Sequence, residues 1–209
     1  MKMSFLSKTQ NGYTIIETMI AISLFLIIVA AGLSALLNIN LLHQKSQDIH
    51  SIMDNLSFVL EDMSRSLRTG YNYRCYPGNS WGGGTDAQNS ILNIPQSCSS
   101  GGVIVFEEAT GNPGLANADD QWVYKIESTD AIHFDVFKST DGGFTFVKLN
   151  VDEVNLSANS GFAVLGAEPP PGDTQQPIVF LRLIGDITYK DVTTPFSLQT
   201  AVSQRLIDI

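Results

Sequence analysis

The chain has 209 residues, room for one domain of ordinary size plus an extension. Twelve Lys and Arg stand against 21 Asp and Glu, a net charge of −9, which excludes a nucleic-acid surface built from clustered cations. Apolar residues make up 44% of the chain, and the longest apolar run lies near the N-terminus.

Lys2 and Lys8 are the only charged residues before Glu17. From Thr18 to Leu37 there is no charge at all, and the only polar side chains are Thr18, Ser23 and Ser34. At ~1.5 Å per residue these twenty residues reach ~30 Å as a helix, the thickness of a bilayer's hydrocarbon core. The basic end is expected to stay cytoplasmic, with the acidic bulk beyond the membrane. A cleaved secretory signal has an apolar region of roughly 7–15 residues with no acid at its head, so this run is too long for one, although AAGLSA offers small residues of the right kind. A plain single-pass anchor fits the length but leaves Glu17 as a cost of a few kcal/mol wherever it enters the bilayer.

The stretch Gly12-Tyr13-Thr14-Ile15-Ile16-Glu17 accounts for all of these features together. It resembles the class III signal of type IV pilins and type II secretion pseudopilins: a short basic leader ending in Gly, then an aromatic, Thr, two aliphatics and Glu as the fifth residue of the mature chain. Tyr13 stands where the family usually has Phe. The resemblance implies that a prepilin peptidase removes residues 1–12 after Gly12 and methylates the new N-terminus at Tyr13. It also implies a role for Glu17. A lone carboxylate in an apolar bundle must be neutralised or paired. The partner implied is the α-amino group of Tyr13 on a neighbouring subunit, so that the pair sets axial register where apolar contacts alone would slide.

Residues 13–37 are therefore expected to form a transmembrane and assembly helix, and 38–69 to continue it as an amphipathic one. Ile49, Ile52/Met53, Leu56, Val59/Leu60, Met63 and Leu67 follow the spacing of one helical face. Gly70 reads as the stop, with Arg65 and Arg68 in the last turns. Gly32 and Ser34 are small residues suited to close helix packing.

Residues 70–102 read as a loop rich in Gly, Ser and Asn, holding Cys75 and Cys98, the only two cysteines. Beyond the membrane they have one pairing available, a disulfide, with two free thiols the alternative. Tyr71, Tyr73, Tyr76 and Trp81 either cover the base of the helix or form a contact surface.

Residues 103–209 read as a β-rich domain. Val103–Glu107, Trp122–Glu127 and Ile132–Lys138 have strand composition, and Thr140–Gly143 turns into Phe144–Leu149 as a hairpin. Val151–Leu156 reads as the start of a further strand or as a crossing segment, and two more strands are expected at Pro177–Ile187 and Phe196–Leu206, with a proline-rich loop over 168–177. The fold class is α+β: one long N-terminal helix packed on an antiparallel sheet. The pattern matches that of pilins, and the ending LQTAVSQR resembles the tails of minor pilins and J-type minor pseudopilins.

Parts for catalysis are missing. His43 and His50 sit seven apart on the helix and His133 in a strand, with no nucleophile motif, phosphate loop or metal-protease motif. The glycines at 82–84 lack a following Lys. Asp119, Asp120 and Asp130 do not have calcium-loop spacing, so a solvated loop is the expected reading. No cofactor, metal or nucleic acid is expected, and no enzyme. The resemblance implies a minor pilin or pseudopilin whose partners are other such subunits, the prepilin peptidase, an inner-membrane assembly platform with its extraction ATPase, and membrane lipid. The competing class is a single-pass anchored binding or adhesin module that never polymerises, and the weakest is an extracytoplasmic enzyme on a membrane tether.

Overall fold

The computed structural model describes residues 12–78, 95–111, 120–128, 130, 133–168, 171–172, 175–189 and 192–205. The leader up to residue 11, Trp81, the glycines at 82–84, Asp119 and Leu206 lie outside the described residues. The chain falls into two compact units, residues 1–47 and 48–209.

The helix α1 runs from Ile15 to Thr69, 55 residues, and both units contain part of it. From Thr18 to Leu37 it is apolar all round, and by length and composition it is able to cross a membrane. The three hydroxyls of that run need no water. Thr18 Oγ1 donates to the Ile15 carbonyl at 2.8 Å, Ser23 to Ile20 at 2.8 Å and Ser34 to Ala30 at 3.0 Å. Each polar group in the run is thus satisfied by its own helix, as a lipid environment demands.

In the second unit, α1 buries Ile52, Leu56, Val59, Met63 and Leu67, the expected stripe, while Met53 and Leu60 pack at its margin. The partner is an antiparallel sheet, so the fold is α+β. Its strands are β1 (Tyr71–Tyr76), β2 (Cys98–Gly101), β3 (Val103–Glu107), β4 (Gln121–Ser128), β5 (Phe134–Ser139), β6 (Val147–Lys148), β7 (Val154–Leu156), β8 (Gly161–Leu165), β9 (Ile178–Tyr189) and β10 (Val192–Ser203). One continuous core joins the helix stripe to Tyr73, Phe106, Tyr124, Phe162 and Leu181 among others. Polar contacts pin the same helix face: Lys138 Nζ lies 2.8 Å from Asp62 and 4.5 Å from the Trp122 ring centre, and the Tyr124 hydroxyl donates to Asp62.

The helix stops where expected but by another device. Gly70 does not adopt a left-handed conformation, and Asn72 does, with φ 55°. A side chain at Gly70 would collide with the Phe106 ring. The buried helix end finds its partners in the sheet, as orphan carbonyls must. The Tyr73 hydroxyl donates to the carbonyls of Leu67 and Gly70, and the Arg205 amide donates to Arg68 at 2.8 Å.

The segment read as a loop over 70–102 contains β1 and β2. β1 pairs with β3 across a register shift between Tyr71 and Arg74, where the left-handed Asn72 sits. β2 has no β-branched residue and takes its strand conformation from pairing with β8 and from the disulfide Cys75–Cys98, whose Cα atoms are 5.6 Å apart. Beside it, Cys75 N donates to the Gln96 carbonyl and Gln96 N to Tyr73, lacing β1 to the segment that leads into β2.

Two other expectations change. The hairpin strand expected over Phe144–Leu149 shrinks to β6, two residues paired with β5. β8 is a strand not anticipated from the sequence. β7 and β8 pair with β9 at residues 185–187 and 178–182, while β10 pairs with β9 along its whole length. A strand has two edges, so β7 and β8 share one of them. Between them the Ser160 hydroxyl fills the ladder, donating to the Ile184 carbonyl and accepting from the Ile184 amide.

Replacing both Cys75 and Cys98 by Ser should lower the unfolding free energy of the full chain by about 3 kcal/mol, in line with a loop of this length. Chemical denaturation in detergent measures it; an unchanged midpoint would mean that the pairing of β2 with β8 holds this segment without the cross-link.

Candidate functional site

Gly12, Tyr13 and Thr14 precede the first turn of α1 and are exposed. Thr14 caps it: the Glu17 amide donates to Thr14 Oγ1 at 3.4 Å, and the Thr18 amide to the Thr14 carbonyl at 3.2 Å. With Thr14 at the cap, Glu17 is the third helical residue. Thr-Ile-Ile-Glu therefore has the spacing of a capping box, a signal present in the sequence and passed over there. An acid in the first turn also faces the positive end of the helix dipole. The Glu17 carboxylate itself makes no hydrogen bond or ion pair among the described residues, and neither does the Tyr13 side chain, which is 82% exposed. The two residues thus stand at the head of an apolar helix with their polar groups open to a partner.

Residues 7–33 match the family model described as the prokaryotic N-terminal methylation motif. The chain carries the signature of type IV pilin and pseudopilin prepilin-like proteins. The matched segment contains Gly12, Tyr13 and Glu17 and much of the apolar run. No curated protein and no solved structure matches the chain. The prepilin signature is thus confined to the N-terminal segment, and the β-rich part is described by its own geometry alone.

The remaining residues singled out in the sequence are dispersed. His43 lies beside Gln47, His50 is exposed, and His133 is held by Asp130, which accepts from the His133 amide at 2.8 Å and meets its ring nitrogen at 2.6 Å. Among the described residues no group of three or more His, Cys, Asp or Glu is placed to hold a metal ion.

One titratable cluster was not legible from the sequence. Glu107, at the end of β3, is 3% exposed and faces Gln121 across the β3–β4 ladder, with Gln121 Nε2 donating to Glu107 Oε1 at 3.2 Å. Burial pushes its pKa up to about 7; the charge of Asp120 and a hydrogen bond with it add to the rise, against the Gln121 bond. Tyr71, whose hydroxyl donates to the Gly111 carbonyl at 2.6 Å, is raised as well, first by burial and then by Glu107 and Asp120. Glu107 and Gln121 are closed off from solvent, so the consequence is for stability and not for substrate chemistry.

The sign follows from proton counting. With its folded pKa raised, Glu107 holds a proton in the folded state that the unfolded chain has already released. Stability is therefore fully present below the ordinary carboxylate range and is lost as pH rises toward about 7. Melting temperatures measured between pH 4.5 and 8 should fall across that window, and Glu107→Gln, which keeps a neutral side chain of the same shape, should flatten the fall. An equal slope in the variant would place the effect elsewhere.

Proposed function

We propose that this prepilin-like chain is a minor pilin or pseudopilin subunit, cut after Gly12 by a prepilin peptidase, methylated at Tyr13, and built into or priming a type IV pilus or type II secretion-like pseudopilus. The observation that carries the reading is the Glu17 carboxylate. It lies five residues after Gly12, inside the methylation motif, and has no hydrogen bond or ion pair among the described residues of its own chain.

The chemistry follows from where that carboxylate must go. In the membrane, Glu17 sits near the head of the apolar run, close enough to the interface for its cost to stay modest. On leaving the bilayer for a bundle of like helices, an unpaired carboxylate becomes expensive, and the amine freed at Tyr13 of a neighbour is the matching cation. Only one stagger of two helices brings amine and acid together. The pair therefore fixes register, while apolar side chains such as Ile20, Leu24 and Leu33 supply adhesion without selecting a stagger. The work of the protein is assembly and not catalysis. It is a single-pass protein of the cytoplasmic membrane with its β-rich part outside, and it depends on an assembly platform and on fellow subunits.

Glu17→Ala is the variant to make. It should remain membrane-inserted at wild-type level, because it removes a charge from an apolar segment, yet be absent from sheared or secreted filaments. Incorporation at the wild-type level would contradict the pairing.

A further inference from the structure

The sheet ends at β10 in an edge of a kind that soluble proteins usually avoid. β10 is 12 residues long, equal to β9, and pairs with it from Val192↔Tyr189 to Ser203↔Ile178 without a register shift. Among the described residues, β9 is its only strand partner. No residue of β10 is charged. Proteins blunt exposed edges with charged side chains, bulges or short strands, and β10 has none of these, only Pro195.

Pro195 also shows which backbone groups are open. It has no N–H, and the ladder to β9 runs through it unbroken opposite Asp186. Its position is therefore one of those whose amide faces away from β9. Every second residue turns the same way, so Thr193, Ser197, Gln199, Ala201 and Ser203 present N–H and C=O groups at the free edge, and their side chains are all exposed. The intervening residues Phe196 and Val202 are buried in the core. Elsewhere the sheet closes on itself, since β1 and β2 are joined by the disulfide and by the hydrogen bonds through Gln96.

We propose that β10 is an interaction surface for a second copy of this chain, pairing antiparallel with the same strand, β10 to β10. Charge favours this occupant. Two copies each carrying −9 repel through acidic faces, whereas an uncharged 12-residue row meets its own image without bringing like charges opposite each other. A pairing centred on Thr200 sets Ser197 against Ser203 and Gln199 against Ala201, all small or flexible side chains, and leaves Pro195 outside the paired stretch. The contact is isologous and closes at two copies, so it is separate from any head-to-tail growth of a filament. It stands on β10 alone and does not depend on the prepilin reading.

Backbone hydrogen exchange on the detergent-solubilised full chain tests it, at low and at high protein concentration, with each peptide covering β10 followed by mass. The outward amides of Ser197, Gln199, Ala201 and Ser203 should exchange at least tenfold more slowly at high concentration. Ala201→Pro removes one outward N–H as Pro195 already does, and Ala201→Lys places a charge on the row. Either variant should abolish the slowing while its melting temperature reports an intact fold. Association through the apolar helix alone would leave these amides fast at every concentration. That result, or slowing that persists in both variants, overturns the proposal.

Discussion

One helix has to satisfy two solvents. A polypeptide backbone can enter a bilayer only when its own hydrogen bonds are complete, and α1 meets that condition down to the hydroxyls of Thr18, Ser23 and Ser34, each turned back onto a carbonyl of its own helix. From Asp48 onward the same helix belongs to the β-rich unit and follows the other rule, burying one stripe and wetting the rest. At the edge of the buried stripe, Asp62 is paired with Lys138 and Tyr124. Glu17 stands apart: a carboxylate at the head of the apolar stretch, with its backbone amide engaged by Thr14 and its carboxylate engaged by nothing among the described residues. Conflicts of this kind, local rule against local residue, are expected where function intrudes on folding.

Much of this was legible in the sequence because its signals are local. The apolar run, the stripe from Ile52 to Leu67 and the strands β3, β4 and β9 announce themselves by periodicity and composition. Gly12, Tyr13 and Glu17 were singled out by the resemblance of a short stretch to the pilin signal, and a short motif is all that the methylation model covers. The capping box Thr14–Glu17 was equally local and could have been read there. It offers a second, simpler use for an acid at this position: the same residue can steady the first turn and remain available to a neighbour.

What was not legible depends on tertiary partners. β1 contains a left-handed Asn72, and β2 consists of Cys-Ser-Ser-Gly; neither looks like a strand until β3, β8 and the disulfide are in place. β8 is five residues closed by Gly161 at its start and Gly166 just beyond it, too short to show a period. Gly70 was rightly read as a stop, but what it provides is room for the Phe106 ring and not a left-handed turn. The rise of Glu107 toward pH 7 comes first from burial and then from Asp120, and both arise only when β3 and β4 pair. Sequence spacing carries no trace of such a contact.

The proposed pairing depends on a cut after Gly12, because only the cut creates the amine that Glu17 is proposed to meet. Intact mass and N-terminal peptide mapping of the protein purified from its native membrane measure this directly. The expected result is a mature chain that begins at Tyr13 with a methylated amine. A chain that retains Met1, or one that begins beyond Glu17, would contradict it.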